Sequence, residues 1–159
     1  MTLIIIQGDI DISVGSAVAW SSSLLGVLAI KLGWPLAFAV PFVLIQGMFI
    51  HMLAGIIRVR WLVPSFVLTL AMYMILRGAA RLITNAYPIS PFPPGFEFWG
   101  GGTIMLLGLK LPVPVIIMLI TFTIFYIIAK RTVYGRSVFS IGDNENAARL
   151  CGIKVEYTR

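Results

Sequence analysis

An all-α, polytopic membrane protein with about four spanning helices is the fold class this sequence predicts, and two observations carry it. Apolar residues fill 59% of the 159 positions and charged residues 11%, against about 45–50% and about 25% in soluble domains. The charges are also segregated into clusters between long uncharged windows. A bilayer demands that pattern, because a charge at its centre costs about 2.5–3.5 kcal/mol on insertion scales. A water-soluble fold could not hide this much apolar surface. The net charge of +6 does not indicate nucleic acid, since the basic residues flank apolar runs instead of forming one solvated patch. One cysteine, Cys151, excludes an internal disulfide framework and supports no metal site. The first seven residues lack the charged region and the small-residue cleavage site of a signal peptide.

The spans follow in order. Residues 14–30 form the weakest window, with Ser16, Ser21, Ser22 and Ser23 in it; serines on a span face other helices, so this one is expected inside the bundle. Residues 34–57 carry only Gln46 and His51 as polar side chains and stop at Arg58 and Arg60. Residues 62–83 open on Pro64, tolerated in a first turn, and are apolar up to Leu76; Arg77 and Arg81 must then snorkel to an interface. Residues 111–129 have about the 20 residues needed to cross a bilayer and end on Lys130 and Arg131.

Orientation follows from the basic residues. Arg58 and Arg60 form one group, and Lys130, Arg131, Arg136, Arg149, Lys154 and Arg159 another; two crossings separate them, so both are expected in the cytoplasm. Residues 84–110, with Pro88, Pro91, Pro93, Pro94, Gly95 and Gly100 to Gly102, are then an external loop, and Phe92, Phe96, Phe98 and Trp99 suit the headgroup layer. Residues 130–159 are a cytoplasmic tail, and the whole chain reads as a single transmembrane region.

Three segments depart from simple spanning helix. Gly8, Asp9, Asp11, Ser13 and Gly15 interrupt two apolar runs. They form either a surface turn with Ser13 as N-cap of the first span, or a helix break that lines a cavity within the membrane. Gly47, His51 and Gly55 share one helix face by their four-residue spacing, and glycines there imply a tight helix contact. His51 is either a neutral imidazole bonded within the bundle or an intramembrane functional group. In the tail, residues 132–136 read as a connector, and Gly142, Asp143, Glu145, Ala147, Ala148 and Gly152 outline a helix of about two turns. Asp143 is its expected N-cap, Glu145 suits the positive start and Gly152 the left-handed end. The helix is either solvated or, through the small Ala147 and Ala148, approached closely by a partner. The sequence offers no nucleophile–base set, metal-ligand cluster or phosphate-binding glycine loop, so no catalytic residue, metal or cofactor is expected.

Four stretches in this order resemble the permease subunits of bacterial ABC importers for ribose, xylose, arabinose, other monosaccharides and autoinducer-2. They are Gly8-Asp-Ile-Asp-Ile-Ser-Val-Gly-Ser16, Val63-Pro-Ser-Phe-Val-Leu-Thr-Leu70, Leu76-Arg-Gly78, and Thr132-Val-Tyr-Gly-Arg136 with Ile141-Gly-Asp-Asn-Glu-Asn-Ala-Ala148 and Gly152-Ile153. The resemblance implies a transport subunit of the bacterial inner membrane, not an enzyme. It implies an ATP-binding partner docked through Gly135, Arg136 and the helix after Asp143, a second permease subunit and an extracytoplasmic solute-binding protein. Three features depart from the family pattern. Asp9 replaces a glycine, His51 takes a glycine position with Ala54 where Asn is expected, and such permeases run to roughly twice this length. The chain therefore reads as the middle of one: a fragment, a truncated frame or a reduced paralogue. The rival class is a small multi-span assembly or structural protein, or a non-functional permease fragment, without an ATPase.

Overall fold

The computed structural model describes residues 2–92, 95–106 and 109–158. Pro93, Pro94 and Arg159, placed above in the loop and the tail, lie outside the described residues. Packing divides the chain into two compact units, residues 1–92 and 93–158.

The first unit opens with a short helix, α1 (Thr2–Ile6), and an irregular stretch. Helix α2 (Val14–Gly26) follows and widens at its end into a π-helical turn, Val27–Lys31. Helices α3 (Leu36–Trp61) and α4 (Ser65–Thr84) complete the unit. Each of these three long helices is long and apolar enough to cross a membrane, and each coincides with an expected span to within a few residues. Proline sets two of the starts: Pro35 caps α3 and Pro64 caps α4, both with φ near the helical value and no N–H to leave unpaired. Between α3 and α4 the chain turns within three residues, Leu62 taking a left-handed φ of 53°. So short a link makes the two helices antiparallel neighbours.

Helix α2 packs on both α3 and α4. It has the largest buried share of the spans, 22% against 6–11%, as its serines led one to expect. Ser16 is fully buried and its hydroxyl donates to the Ser13 carbonyl at 2.6 Å, so no polar atom is stranded in the interface. Leu28 meets Ala39 and Val43 of α3, with Leu24 and Leu25 beside them. Leu76 and Ala80 are the buried positions of α4. Across α2 and α3, Trp20 Nε1 donates to Gln46 Oε1 at 3.0 Å. In lipid such bonds replace the hydrophobic drive that water would supply.

The second unit carries structure inside the proline- and glycine-rich loop. A helical turn, α5 (Glu97–Gly101), leads into an antiparallel hairpin of β1 (Thr103–Leu106) and β2 (Leu109–Pro112), with Thr103 opposite Pro112. The hairpin closes where Val113 N donates to the Gly102 carbonyl at 2.8 Å, a small exception to the all-α expectation. The fourth membrane-length helix, α6 (Val113–Arg131), begins with Pro114 in its first turn and ends on Lys130 and Arg131. Thr121 and Thr123 bond carbonyls of their own helix, at 2.8 Å each. Three short helices follow: α7 (Val133–Asp143), α8 (Glu145–Leu150) and α9 (Val155–Thr158). The stretch expected as a connector is thus helical.

Replacing Gln46 with Leu removes the acceptor for the Trp20 indole. We expect a loss of about 0.5–2 kcal/mol, the range of interhelical hydrogen bonds in membranes, in unfolding from mixed micelles followed by tryptophan fluorescence. Unchanged stability would mean that α2 and α3 are held by shape alone.

Candidate functional site

The two carboxylates near the N-terminus take different roles. Asp9 is buried, and its Oδ2 lies 2.5 Å from Arg58 Nη2 at the end of α3. Its Oδ1 accepts from Ser65 Oγ, the first residue of α4, at 3.0 Å. Among the described residues Oδ2 accepts no well-angled hydrogen bond, so the ionic contact is its compensation. Thr69, one turn further along α4, donates to the Ile10 carbonyl as well as to Phe66 of its own helix, at 3.3 Å each. One aspartate thus clasps the ends of two helices. The chain reaches that position by a left-handed turn at Gly8, φ +80°, which reverses it out of α1 without a Cβ clash.

Asp11 acts locally. Its Oδ1 accepts from Ser13 N at 2.8 Å and Ser13 Oγ at 2.6 Å, an Asx turn that launches α2. Ser13 does occupy the N-cap position, but its hydroxyl caps nothing; the expected cap is diverted to Asp11. Gly15 is an exposed residue of α2 with open space beside it. The segment is a turn in which Asp9 and Ser13 are buried and the polar groups are met by protein.

The helix face of Gly47, His51 and Gly55 differs from expectation. Among the described residues nothing lies within 4 Å of a Cβ added at either glycine, so no tight contact forms there. His51 is exposed, with Nδ1 2.9 Å from the Gly47 carbonyl. It does line an open cavity of about 600 Å³ between α2 and α3, which Asp11 also lines.

In the tail the N-cap is Asn144, not Asp143. Asn144 Oδ1 accepts from Ala147 N at 3.0 Å, while Asp143 is the last residue of α7. The reason is geometric: α7 continues to Asp143, and the extended backbone a cap needs first occurs at Asn144. Ala148 is also not a free small face. It is buried with Ile141, Val155 and Ile153 in the core of the α7–α9 cluster, and Ala147 alone of the pair is exposed. Glu145 pairs with Arg149 at 3.1 Å, and Gly152 adopts the expected left-handed end, φ +82°. Arg136 and Gly142 are exposed on α7. Gly135 has a packing role: a Cβ there would press into the carbonyl oxygens of Ile128 and Ala129. Thr132 joins α6 to α7 at that corner. Its Oγ1 donates to the Ile128 carbonyl at 2.6 Å and accepts from Gly135 N at 3.1 Å.

A family model described as the permease component of branched-chain amino acid transport systems matches residues 1–159. The chain belongs to this family. It is 43% identical over its whole length to a probable ABC transporter permease protein, YphD, of Escherichia coli, covering 46% of that protein. It is 33% identical over 98% of its length to the ribose import permease protein RbsC of Haemophilus influenzae, and 34% over 99% to the autoinducer 2 import system permease protein LsrD of Yersinia enterocolitica, covering 48% of each. The chain thus spans just under half the length of these relatives. No solved structure is a significant match. Membership of this permease family and four membrane-length helices together make the chain a multi-pass membrane protein.

Within this permease segment the sequence located the residues of the clasp but missed its partners. Arg58 read as a stop signal, and Ser65 and Thr69 only as part of a stretch that carries the resemblance. The available sign was Asp9 itself, a carboxylate where the resemblance implies glycine, which needs a cation nearby. The roles of Thr132 and Asn144 depend on where the flanking helices end, since both have the extended backbone of a cap, and no residue pattern marks those ends.

Replacing Asp9 with Asn leaves Arg58 without its counter-charge. We expect a loss of about 1–3 kcal/mol, below the 3–5 kcal/mol of fully buried pairs, because the two side chains remain 10% and 17% accessible. Adding Arg58→Gln should restore part of it, and a double-mutant cycle in mixed micelles reads the coupling. Strictly additive losses would show that the pair contributes nothing.

Proposed function

We propose that this chain forms part of the translocation pathway of an ATP-driven importer of a monosaccharide or similar small polar solute, docking an ATP-binding subunit through the helices after α6. Family membership carries the reading, together with relatives named for ribose and autoinducer 2 import. A second permease subunit and an extracytoplasmic solute-binding protein complete the assembly in this reading, and the spans supply a path but no chemistry.

The α6–α8 region supports the docking role. Thr132 and Gly135 lock α7 against the end of α6, so a push on α7 is passed to a membrane-length helix without slack. The α7–α9 cluster has its own small core, which lets it act as one body. Its exposed features are Ala147, Arg136, Gly142 and Asp143. Gly135 and Ala148 hold the shape of that body, Glu145 and Gly152 set the ends of α8, and Ala147 is the open position where a partner approaches closely. Ala147→Trp should therefore block ATPase association and uptake in a complete permease carrying this segment. Asn144→Ala should weaken α8 by only about 0.5–2 kcal/mol through loss of its cap, and the exposed control Lys154→Ala should do neither. Normal uptake with Trp at position 147 would remove the mechanical basis of the reading.

The distribution of basic residues supports a cytoplasmic tail and an outer position for residues 84–110. The native Cys151 is exposed, which makes it a reporter. An impermeant thiol reagent applied to intact cells should leave Cys151 unlabelled but react with Ser90→Cys in a Cys151→Ser background. The opposite pattern would invert the topology.

A further inference from the structure

One end of residues 2–92 carries positive charge that no described residue neutralises. Its carboxylates are Asp9 and Asp11, and both are committed at the opposite end, Asp9 to Arg58 and Ser65, Asp11 to Ser13. Helices α2 and α4 run parallel from that clasp, so Lys31, Arg77 and Arg81 gather where the two helices finish. Arg77 and Arg81 line an open cavity of about 400 Å³ with Ser22, Ser23, Thr84 and Tyr87. Lys31 lines an adjoining cavity of about 330 Å³ that shares Thr84 and Tyr87. Among the described residues none of the three cations makes an ion pair.

Two ordinary explanations fall short. Arg81 sits in the last turn of α4, where the helix dipole offers about half an elementary charge, too little for three cations. Snorkelling brings a long side chain to the nearest interface, but it does not gather two arginines and several hydroxyls on one cavity. Arg77 and Arg81 are four residues apart and so adjacent on the helix face, where like charges repel. An arrangement of this kind is relieved by an anion between the two guanidiniums, whose forked donors match the oxygens of phosphate or carboxylate.

We infer that this cavity binds an anionic group of the phosphate type, held by Arg77 and Arg81, with Lys31 adding charge and Ser23 and Tyr87 supplying hydroxyls. The group belongs either to an anionic lipid headgroup or to a phosphorylated solute. Only the second source rests on the importer reading.

The test uses the chain in phosphatidylcholine nanodiscs. Native mass spectrometry measures retention of added phosphatidylglycerol, and equilibrium dialysis measures binding of ribose 5-phosphate against uncharged ribose. The expected result is binding of one charged probe and not of ribose, weakened about tenfold or more by Arg77→Gln with Arg81→Gln, as loss of charge-assisted hydrogen bonds demands. Arg60→Gln, at the opposite end, should change nothing. Arg77→Lys with Arg81→Lys keeps the charge but loses the fork, so it should bind more tightly than the double Gln variant and less tightly than wild type, which separates charge from misfolding. Retention of the lipid alone identifies a headgroup site, and binding of the sugar phosphate identifies a solute site. Failure of wild type to hold either probe, or undiminished binding in the double Gln variant, overturns the inference. The assay needs neither ATPase nor uptake, so its failure leaves the importer reading intact.

Discussion

The contact between Asp9 and Arg58 sets the geometry of the first unit, because a charge withdrawn from water persists only where an opposite charge meets it. Asp9 sits beyond α1, Arg58 near the end of α3, and Ser65 at the start of α4. One carboxylate therefore fixes three chain segments at one end of the bundle. Once they are fixed, α2 must leave the same point and run beside α4, and Ser16 becomes an interface residue instead of a lipid-facing one. The hydrogen bond from Trp20 to Gln46 then finds its partner at mid-helix. The short link through Leu62 and Pro64 depends on the same contact, since it brings α4 back to where Asp9 waits.

Spans were legible in the sequence because they are set by a one-dimensional rule: no charge for about 20 residues, then basic residues at an end. The burial of α2 was legible for a similar reason, since serine in a span has few places to face. Side-chain partnership was not. Asp9 and Arg58 are separated by nearly fifty positions, and no periodicity links them. The tail shows a subtler limit. Asp143 and Asn144 are both good N-caps by type, and the choice between them depended on where α7 ends, which rests on the packing of Val138 and Ile141. The same packing buries Ala148 and leaves Ala147 outside, although in sequence they are twins. For Gly47 and Gly55 the spacing foretold a contact that no described residue makes, because a glycine face states what can approach and not what does.

The two ends of the first unit handle charge in opposite ways. At the clasp, acid and base are matched within the chain, and the irregular backbone of residues 7–13 has its polar groups met by Ser65, Thr69 and the Asx turn at Asp11. At the far end Lys31, Arg77 and Arg81 have hydroxyls for neighbours and, among the described residues, no carboxylate. A paired end makes a rigid joint, while an unpaired end keeps its electrostatic capacity for something that arrives from outside. A membrane helix bundle that must hold its shape at one face and meet solution or lipid at the other is well served by that division.

The corner between α6 and α7 is the second place where small side chains decide the mechanics. Thr132 bonds back to the Ile128 carbonyl and forward to Gly135 N, so one hydroxyl joins the last turn of α6 to the first turn of α7. Gly135 lets those two turns approach to where any Cβ would strike the carbonyls of Ile128 and Ala129. A bulkier residue there would open the corner and turn a fixed joint into a loose one. Rigidity at this point matters more than the strength of any single bond. A displacement of the α7–α9 body reaches α6 only if the corner does not flex, and Thr132 with Gly135 supplies that stiffness from within the backbone. It requires neither a long side chain nor a salt bridge that screening ions could weaken.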